Sequence, residues 1–302
     1  MKYVRKEKLG QGTYDNVFKG ENAETHEPVL ITHMKIDQKQ HGIPSFCFKT
    51  ISIIKKISHP NILRYDVEFW NQSIHLVNEV MAKDLNTYQC NHSFSPELLR
   101  SYSFQLLCGI CYLHQQGIIH HHICPKRIFL AKDGLLKIGD FNYASTSFYE
   151  CDNPFSSHNI TLWYYPPEYF VNQDLDFPVD SYAFDVWSAG CVIGEMIKHK
   201  PLFPGDSHFD QKSRIFSCFG TPDFNKWQTN EDSIVTPGNG LASLFPQEID
   251  EDLMDLLLKL LEVNPKKRIS AKDALQHSYF ATLLNNQQYQ FFVPFSINDL
   301  QQ

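Results

Sequence analysis

The apolar pattern of this chain changes period once, near residue 95, and that change restricts the folds open to it. Before it, VFKG at 17–20, PVLITHMKI at 28–36 and IHLVNEVM at 74–81 are β-rich runs separated by Gly, Asn or His-Pro. One stretch interrupts them. PSFCFKTISIIKKI at 44–57 opens on Pro-Ser and carries apolar residues at helical spacing, which predicts an amphipathic helix. From Ser95-Pro96-Glu97 onward the signal is helical, with Ser as N-cap, Pro in the first turn and an apolar run to Leu113. SYAFDVWSAGCVIGEMI and EIDEDLMDLLLKLLEVN continue it. The prediction is an α+β chain: a small β-rich lobe with one helix, then a larger, mainly helical lobe. No internal repeat and no Gly-, Ser- or Pro-rich linker divides it further.

Composition narrows the function classes. The 302 residues are 42% hydrophobic and 20% charged, enough apolar material for a substantial core. Lys+Arg 27 against Asp+Glu 34 gives a net charge of −7 without a long cationic run, so neither nucleic acid nor an acidic membrane surface is expected as a partner. Eight scattered cysteines are too sparse for a disulfide scaffold and suit a reducing compartment. MKYVRKEKLG has no apolar core for a secretion signal, and no uncharged apolar run is long enough to span a bilayer. The expectation is an intracellular protein, cytoplasmic or nuclear, of unknown oligomeric state.

Several short motifs follow one another in fixed order. Gly10-Gln11-Gly12-Thr13-Tyr14-Asp15-Asn16-Val17 lies between two predicted strands, where a glycine loop would cover phosphates. Asp140-Phe141-Asn142, Pro166-Pro167-Glu168, Asp185-x-Trp187-Ser188 and Asn264-Pro265-Lys266-Lys267-Arg268 come after it. Taken together they resemble the landmarks of the protein kinase family over about residues 3–280. The resemblance implies a bilobal protein-kinase fold: a domain at 1–280, with an N-lobe of about 1–80 and a C-lobe of about 81–280, and a C-terminal tail at 281–302. Gly42-Ile43-Pro44-Ser45, Thr161-Leu162-Trp163-Tyr164 and LFPGDSHFDQKSRIFSCFGTP at 202–222 resemble the cyclin-dependent (CMGC) branch. That likeness implies a cyclin or cyclin-like partner on the helix at 44–57, where Phe46 and Phe48 add apolar area unless they pack inward.

Fold does not settle chemistry. Phosphoryl transfer in this family needs a strand Lys held by a helix Glu, a catalytic-loop Asp as base, and an Asn plus the Asp of DFG on Mg²⁺. Counted without gaps, the strand Lys position is Thr32, which has no charge for phosphate. His33 and Lys35 point to the other face unless the strand bulges; Lys19 shares the parity of Val17, which leaves a relocated lysine open. The helix Glu position is Thr50, and no Asp or Glu occurs between Asp37 and Asp66, so no register shift supplies one. The catalytic loop reads His120-His121-His122-Ile123-Cys124-Pro125-Lys126-Arg127, which puts His122 at the base and Arg127 at the metal-binding Asn. No carboxylate lies between Glu97 and Asp133. A cation about 4 Å from Mg²⁺ costs roughly 8 kcal/mol at an effective dielectric of about 20. Asp140 alone would have to hold the metal.

The resemblance places nucleotide contacts at Gly10, Gly12, Val17, Leu30, Glu79, Met81, Phe129 and Asp140. Leu30 at the roof and Phe129 at the floor are larger than the family's residues, and Asn78 makes the gatekeeper polar. ATP and Mg²⁺ are the cofactors implied, and neither is secured by these residues. Two readings of the site stay open: Arg127 and His120–His122 bind nucleotide without metal, or side chains fill the pocket. The three arginines that grip an activation phosphate in the family are Lys49, His121 and Ser145 here; Ser156 lies near the phosphosite, and Thr13 and Tyr14 match inhibitory ones. His120, Glu168, Asp185 and Arg268 match residues that shape the C-lobe. Cys108 and Cys111 read as buried structural thiols, and the histidine triplet cannot readily converge on one ion. Cys124, beside His122 and Lys126, raises the question of a lowered thiol pKa against the default of an ordinary thiol. The function expected is a cyclin-dependent-kinase-like pseudokinase acting as a regulatory or protein-binding module. The alternatives are a weak or reprogrammed ATP-dependent Ser/Thr kinase with His122 as base, and a decoy competing for a cyclin.

Overall fold

The computed structural model describes residues 2–11, 15–34, 45–70, 73–146, 161–175, 181–222, 234–245 and 248–284. Gly12, Thr13, Tyr14, Lys35, residues 42–44, Ser156, the side chain of Phe46 and the tail beyond Leu284 lie outside them.

The strand-rich region is one antiparallel sheet of five strands: β1 (Tyr3–Gln11), β2 (Asp15–Asn22), β3 (Pro28–Met34), β4 (Asp66–Trp70) and β5 (Ser73–Glu79), in the order β1-β2-β3-β5-β4. Alternation along β3 sorts its side chains. Val29 and Ile31 join Tyr3 and Val77 in a small core on one face, covered by Phe18 and Trp70. Met34 packs from the other face, with Ile74 and Leu76 of β5, into the main core.

The predicted helix is α1 (Ser45–Ile54). Cys47, Thr50, Ile51 and Ile54 form its buried stripe, while Phe48 is 57% exposed and Ser52 is exposed. The helix stops three residues before the predicted Ile57, because the chain there turns to meet the helical region. The Ser58 N–H donates to Tyr112 Oη (2.8 Å), His59 stacks on Tyr112, and Asn61 Nδ2 donates to Gln105 Oε1 (3.1 Å) and to the Leu136 carbonyl (2.8 Å). The Leu63 N–H donates to the Ile138 carbonyl at 2.8 Å.

The rest is mainly helical, with the three-stranded sheet of β6 (Lys83–Asp84), β7 (Ile128–Leu130) and β8 (Leu136–Ile138) and the two-stranded pair β9 (Thr221–Pro222) and β10 (Ile234–Thr236). The helices that matter for the site are α2 (Leu85–Gln89), α3 (Pro96–Gln115), α4 (Pro167–Leu175) and α5 (Ser181–Lys198). Ser95 caps α3 by accepting from the Leu98 N–H (3.2 Å), and Pro96 stands in its first turn, where no intrahelical N–H is needed. Phe104, Leu106, Leu107, Cys108, Ile110, Cys111 and Leu113 bury α3 against α5 and β8. One apolar core runs from the inner face of the sheet through α1 and α3 to α5. The expected tail begins with a short helical turn at Ala281–Leu284. Among the described residues no helix is long and apolar enough to cross a membrane.

Candidate active site and its replacements

β3 pairs residue for residue on both sides. Its register runs from Asp15↔Met34 to Glu21↔Pro28 on β2 and from Val29↔Glu79 to Met34↔Ile74 on β5, without a bulge. Thr32 therefore sits opposite Val17 and Leu76, and among the described residues no lysine takes its place. His33 lies on the other face, stacked on His75 (4.9 Å), which stacks in turn on Trp70 (3.5 Å). Lys19 is exposed opposite Leu30. Thr50 is 2% exposed on the inward stripe of α1, so the strand and helix positions are both neutral hydroxyls.

The catalytic-loop segment hangs on Asp185. This wholly buried carboxylate accepts from the N–H groups of His120 (2.8 Å) and His121 (2.9 Å) and bonds His114 Nε2 (3.1 Å). Burial pulls its carboxyl up, yet the His114 hydrogen bond and the nearby histidines leave it below the usual carboxylate range. The cap holds His121 at φ +59°, a left-handed conformation uncommon outside glycine. His120 accepts the His122 N–H on Nδ1 (3.2 Å), and its Nε2 lies 3.0 Å from the Gly139 carbonyl. One neutral tautomer, protonated on Nε2, satisfies both bonds.

His122 stands at the base position with its ring edge-on to Tyr143 (4.9 Å) and its Nδ1 buried without a hydrogen-bond partner. Burial, reinforced by the Arg127 charge, lowers its pKa to about 4. Burial likewise lowers His121 to about 4 and moves His120 down. All three imidazoles are neutral near pH 7. Cys124 is buried and its thiol is pushed up to about 11, so the lowered pKa considered above gives way to an inert thiol.

Arg127 ends the 3₁₀ turn Pro125–Arg127, and its Nε lies 2.9 Å from Asp140 Oδ2. Asp140 has φ +61°, and its N–H donates to Tyr65 Oη (3.0 Å). Phe141 is buried edge-on to Tyr65 (6.4 Å) and to His120 (5.1 Å). A hard divalent cation takes oxygen ligands, and Mg²⁺ in particular demands near-octahedral geometry. Here Asp140 already meets a guanidinium on one oxygen and the Asn142 N–H on the other (3.4 Å), and among the described residues no group of three His, Cys, Asp or Glu side chains could hold a metal ion. The residues do not fit Mg²⁺.

The nucleotide positions are placed as follows. Leu30 is half-buried opposite Asn78, whose Nδ2 donates to the Glu79 carbonyl (2.8 Å). The Glu79 side chain pairs with Lys137. Val17 and Met81 are half-buried, and Gly10 faces Val17 across β1 and β2. Ile128 and Leu130 are buried while Phe129 between them faces the opposite way; a Cβ on Gly139 would lie 2.8 Å from its ring. Two of the three phosphate-gripping positions are also filled from within, while the third, Lys49, is half-buried on α1. His121 Nε2 bonds Ser145 Oγ (2.8 Å), and Ser145 exchanges two backbone hydrogen bonds with Ile119.

Arg268 and Glu168 form two parallel hydrogen bonds (2.7 and 2.9 Å) with both side chains fully buried. Arg268 also donates to the Ala183 and Glu262 carbonyls and lies over Trp187. Sequence reasoning missed Tyr65, His114 and Tyr143, and it missed the buried Glu195, which accepts from Tyr164 Oη (2.7 Å) and Gln89 Nε2 (2.6 Å). None of these belongs to a short motif. Tyr164 itself belongs to the stretch Thr161-Leu162-Trp163-Tyr164, which gives no sign of its link to Glu195. A family model described as "Protein kinase domain" matches residues 3–280 of the chain.

Proposed function

This chain belongs to the protein kinase domain family, and we propose that it is a pseudokinase of the cyclin-dependent branch, a protein-binding module that does not transfer phosphate efficiently. The observation that carries this reading is the unbroken register of β3, with Thr32 opposite Val17 and Leu76 and with Thr50 buried on α1. Catalysis in this family is almost wholly positioning and charge stabilisation, so the loss of these charges removes most of the machinery. A side-chain base would add ~10²–10⁴-fold, and His122 is a poor one: at a pKa of about 4 its basicity is matched to the wrong pH. The branch assignment draws on Thr161-Leu162-Trp163-Tyr164 and on the block at 202–222, which meet where Trp163 Nε1 donates to the Gly205 carbonyl (2.9 Å). The partner is a cyclin or cyclin-like protein on the α1 side, and the compartment is cytoplasm or nucleus.

Two assays on purified protein test this. Labelled phosphate transfer to a Ser/Thr-Pro peptide is expected at the level of a Leu30→Arg control, with or without Mg²⁺ or Mn²⁺. Millimolar ATP is expected to leave the melting temperature unchanged, whereas a ligand well above its Kd would stabilise by a few kcal/mol. Metal-dependent transfer that the control abolishes would overturn the proposal.

A further inference from the structure

We propose that Arg127 is a built-in counter-charge that fixes the segment around Asp140 in one arrangement, so that divalent metal, nucleotide and activation phosphate no longer control it. This extends the pseudokinase reading from chemistry to regulation of the same site.

The segment from Gly139 to Ser145 is held entirely by the chain's own groups. The Gly139 N–H donates to the Arg127 carbonyl (2.9 Å), and its carbonyl meets His120 Nε2 (3.0 Å). Asp140 is held by Arg127 through its carboxylate and by Tyr65 through its N–H. Phe141 is packed between Tyr65 and His120, Tyr143 against His122, and Ser145 against Ile119 and His121. These contacts converge from two directions, the catalytic-loop stretch 119–127 and Tyr65 just before β4. They compensate a backbone conformation at Asp140 that a non-glycine residue adopts reluctantly.

A ligand shifts a conformational equilibrium only by the difference in its affinity for the two states. A metal would act through the Asp140 carboxylate, whose Oδ2 Arg127 holds (2.9 Å) and whose Oδ1 accepts the Asn142 N–H (3.4 Å). A phosphate would act through the position of His121, which is buried, neutral and bonded to Ser145. Both handles are taken by side chains, so a ligand gains little by favouring one state.

Hydrogen exchange on the full chain tests this at the amides of residues 139–146. In the wild type, exchange is expected to be slow and to change less than about twofold between EDTA, millimolar Mg²⁺ and Mg²⁺ with ATP. Arg127→Asn is expected to speed it roughly tenfold and to make it sensitive to Mg²⁺, because Asp140 loses its counter-charge. Arg127→Lys, which keeps a point charge but not the planar guanidinium, should fall between. Tyr65→Phe removes only the acceptor for the Asp140 N–H, and it decides the matter if circular dichroism finds Arg127→Asn unfolded. Wild-type exchange slowed by Mg²⁺ or ATP overturns the proposal, as does unchanged exchange in a folded Arg127→Asn; if that variant is unfolded, unchanged exchange in both Arg127→Lys and Tyr65→Phe overturns it. Phosphate transfer measured on the same samples keeps the two proposals apart. Transfer with a ligand-insensitive segment defeats only the pseudokinase reading, and a ligand-sensitive segment without transfer defeats only the lock.

Discussion

Arg268 shows how a residue can matter to this protein without touching its cleft. Its guanidinium fork meets both oxygens of Glu168 in a fully buried site, takes three carbonyls as further acceptors and rests on the face of Trp187. Removing one partner strands the other as a buried charge. Glu168→Gln and Arg268→Met should each lower unfolding free energy by about 3–5 kcal/mol in denaturant titrations. Arg268→Lys should recover little of that loss, since a point charge cannot bridge both oxygens. Unchanged midpoints in all three variants would show that the pair is dispensable. At this scale the sequence was most legible where a motif fixes spacing. Thr50 and His122 could be located by counting, because the absence of nearby carboxylates left no alternative register, whereas Thr32 needed the pairing of β3 to set aside a bulge. Tyr65 could not. Its hydroxyl reaches Asp140 only because the turn at Asn61 and Leu63 docks on Leu136 and Ile138, a relation between segments far apart in the chain.

At the scale of elements, α1 separates two questions that the sequence had joined. Thr50 belongs to its buried stripe and Phe48 to its exposed side, so a neutral residue at position 50 leaves the outer surface untouched. A cyclin-like partner on this helix would cover Phe48. Phe48→Asp should then weaken binding at least tenfold while leaving the melting temperature within a degree or two, since an exposed side chain carries little of the fold. A pull-down across a panel of cyclins, followed by titration of any cyclin recovered, measures it. Recovery of no cyclin, or equal affinity in the variant, removes α1 as the docking surface. The periodicity of α1 was readable and its end was not, because tertiary bonds from Ser58 and His59 to Tyr112 take over the chain just beyond it. β1, the strand expected before the glycine loop, carries a weak apolar signal for a different reason. Its YVRKEKLGQ stretch buries Tyr3 and leaves most of the rest exposed, as suits an edge strand blunted by charge.

Across the whole molecule, the neutral histidines make stability depend on pH in a defined window. Burial holds His75, His121 and His122 near a pKa of about 4, against about 6.5 for an unfolded histidine. Between those values the unfolded chain binds protons that the folded chain refuses, so stability rises with pH there and levels off above about 6.5. On acidification from 6.5 to 4 each such histidine withdraws roughly 1–3 kcal/mol. His75 is the cleanest test because it lies on the sheet, away from the Arg127–Asp140 pair. It is sandwiched between Trp70 and His33 and faces Glu68 on β4, with both ring nitrogens buried and unpartnered. Phenylalanine keeps the flat ring and removes the proton site. His75→Phe should match or exceed the wild type at pH 7.5 and exceed it by a wider margin at pH 5, shifting the acid midpoint to lower pH in a denaturation series. A constant difference between the two proteins from pH 7.5 to 5 would mean that His75 titrates alike in the folded and unfolded chain. A margin that shrinks on acidification would mean that it is protonated in the folded state, with its charge held by Glu68 or by the face of Trp70.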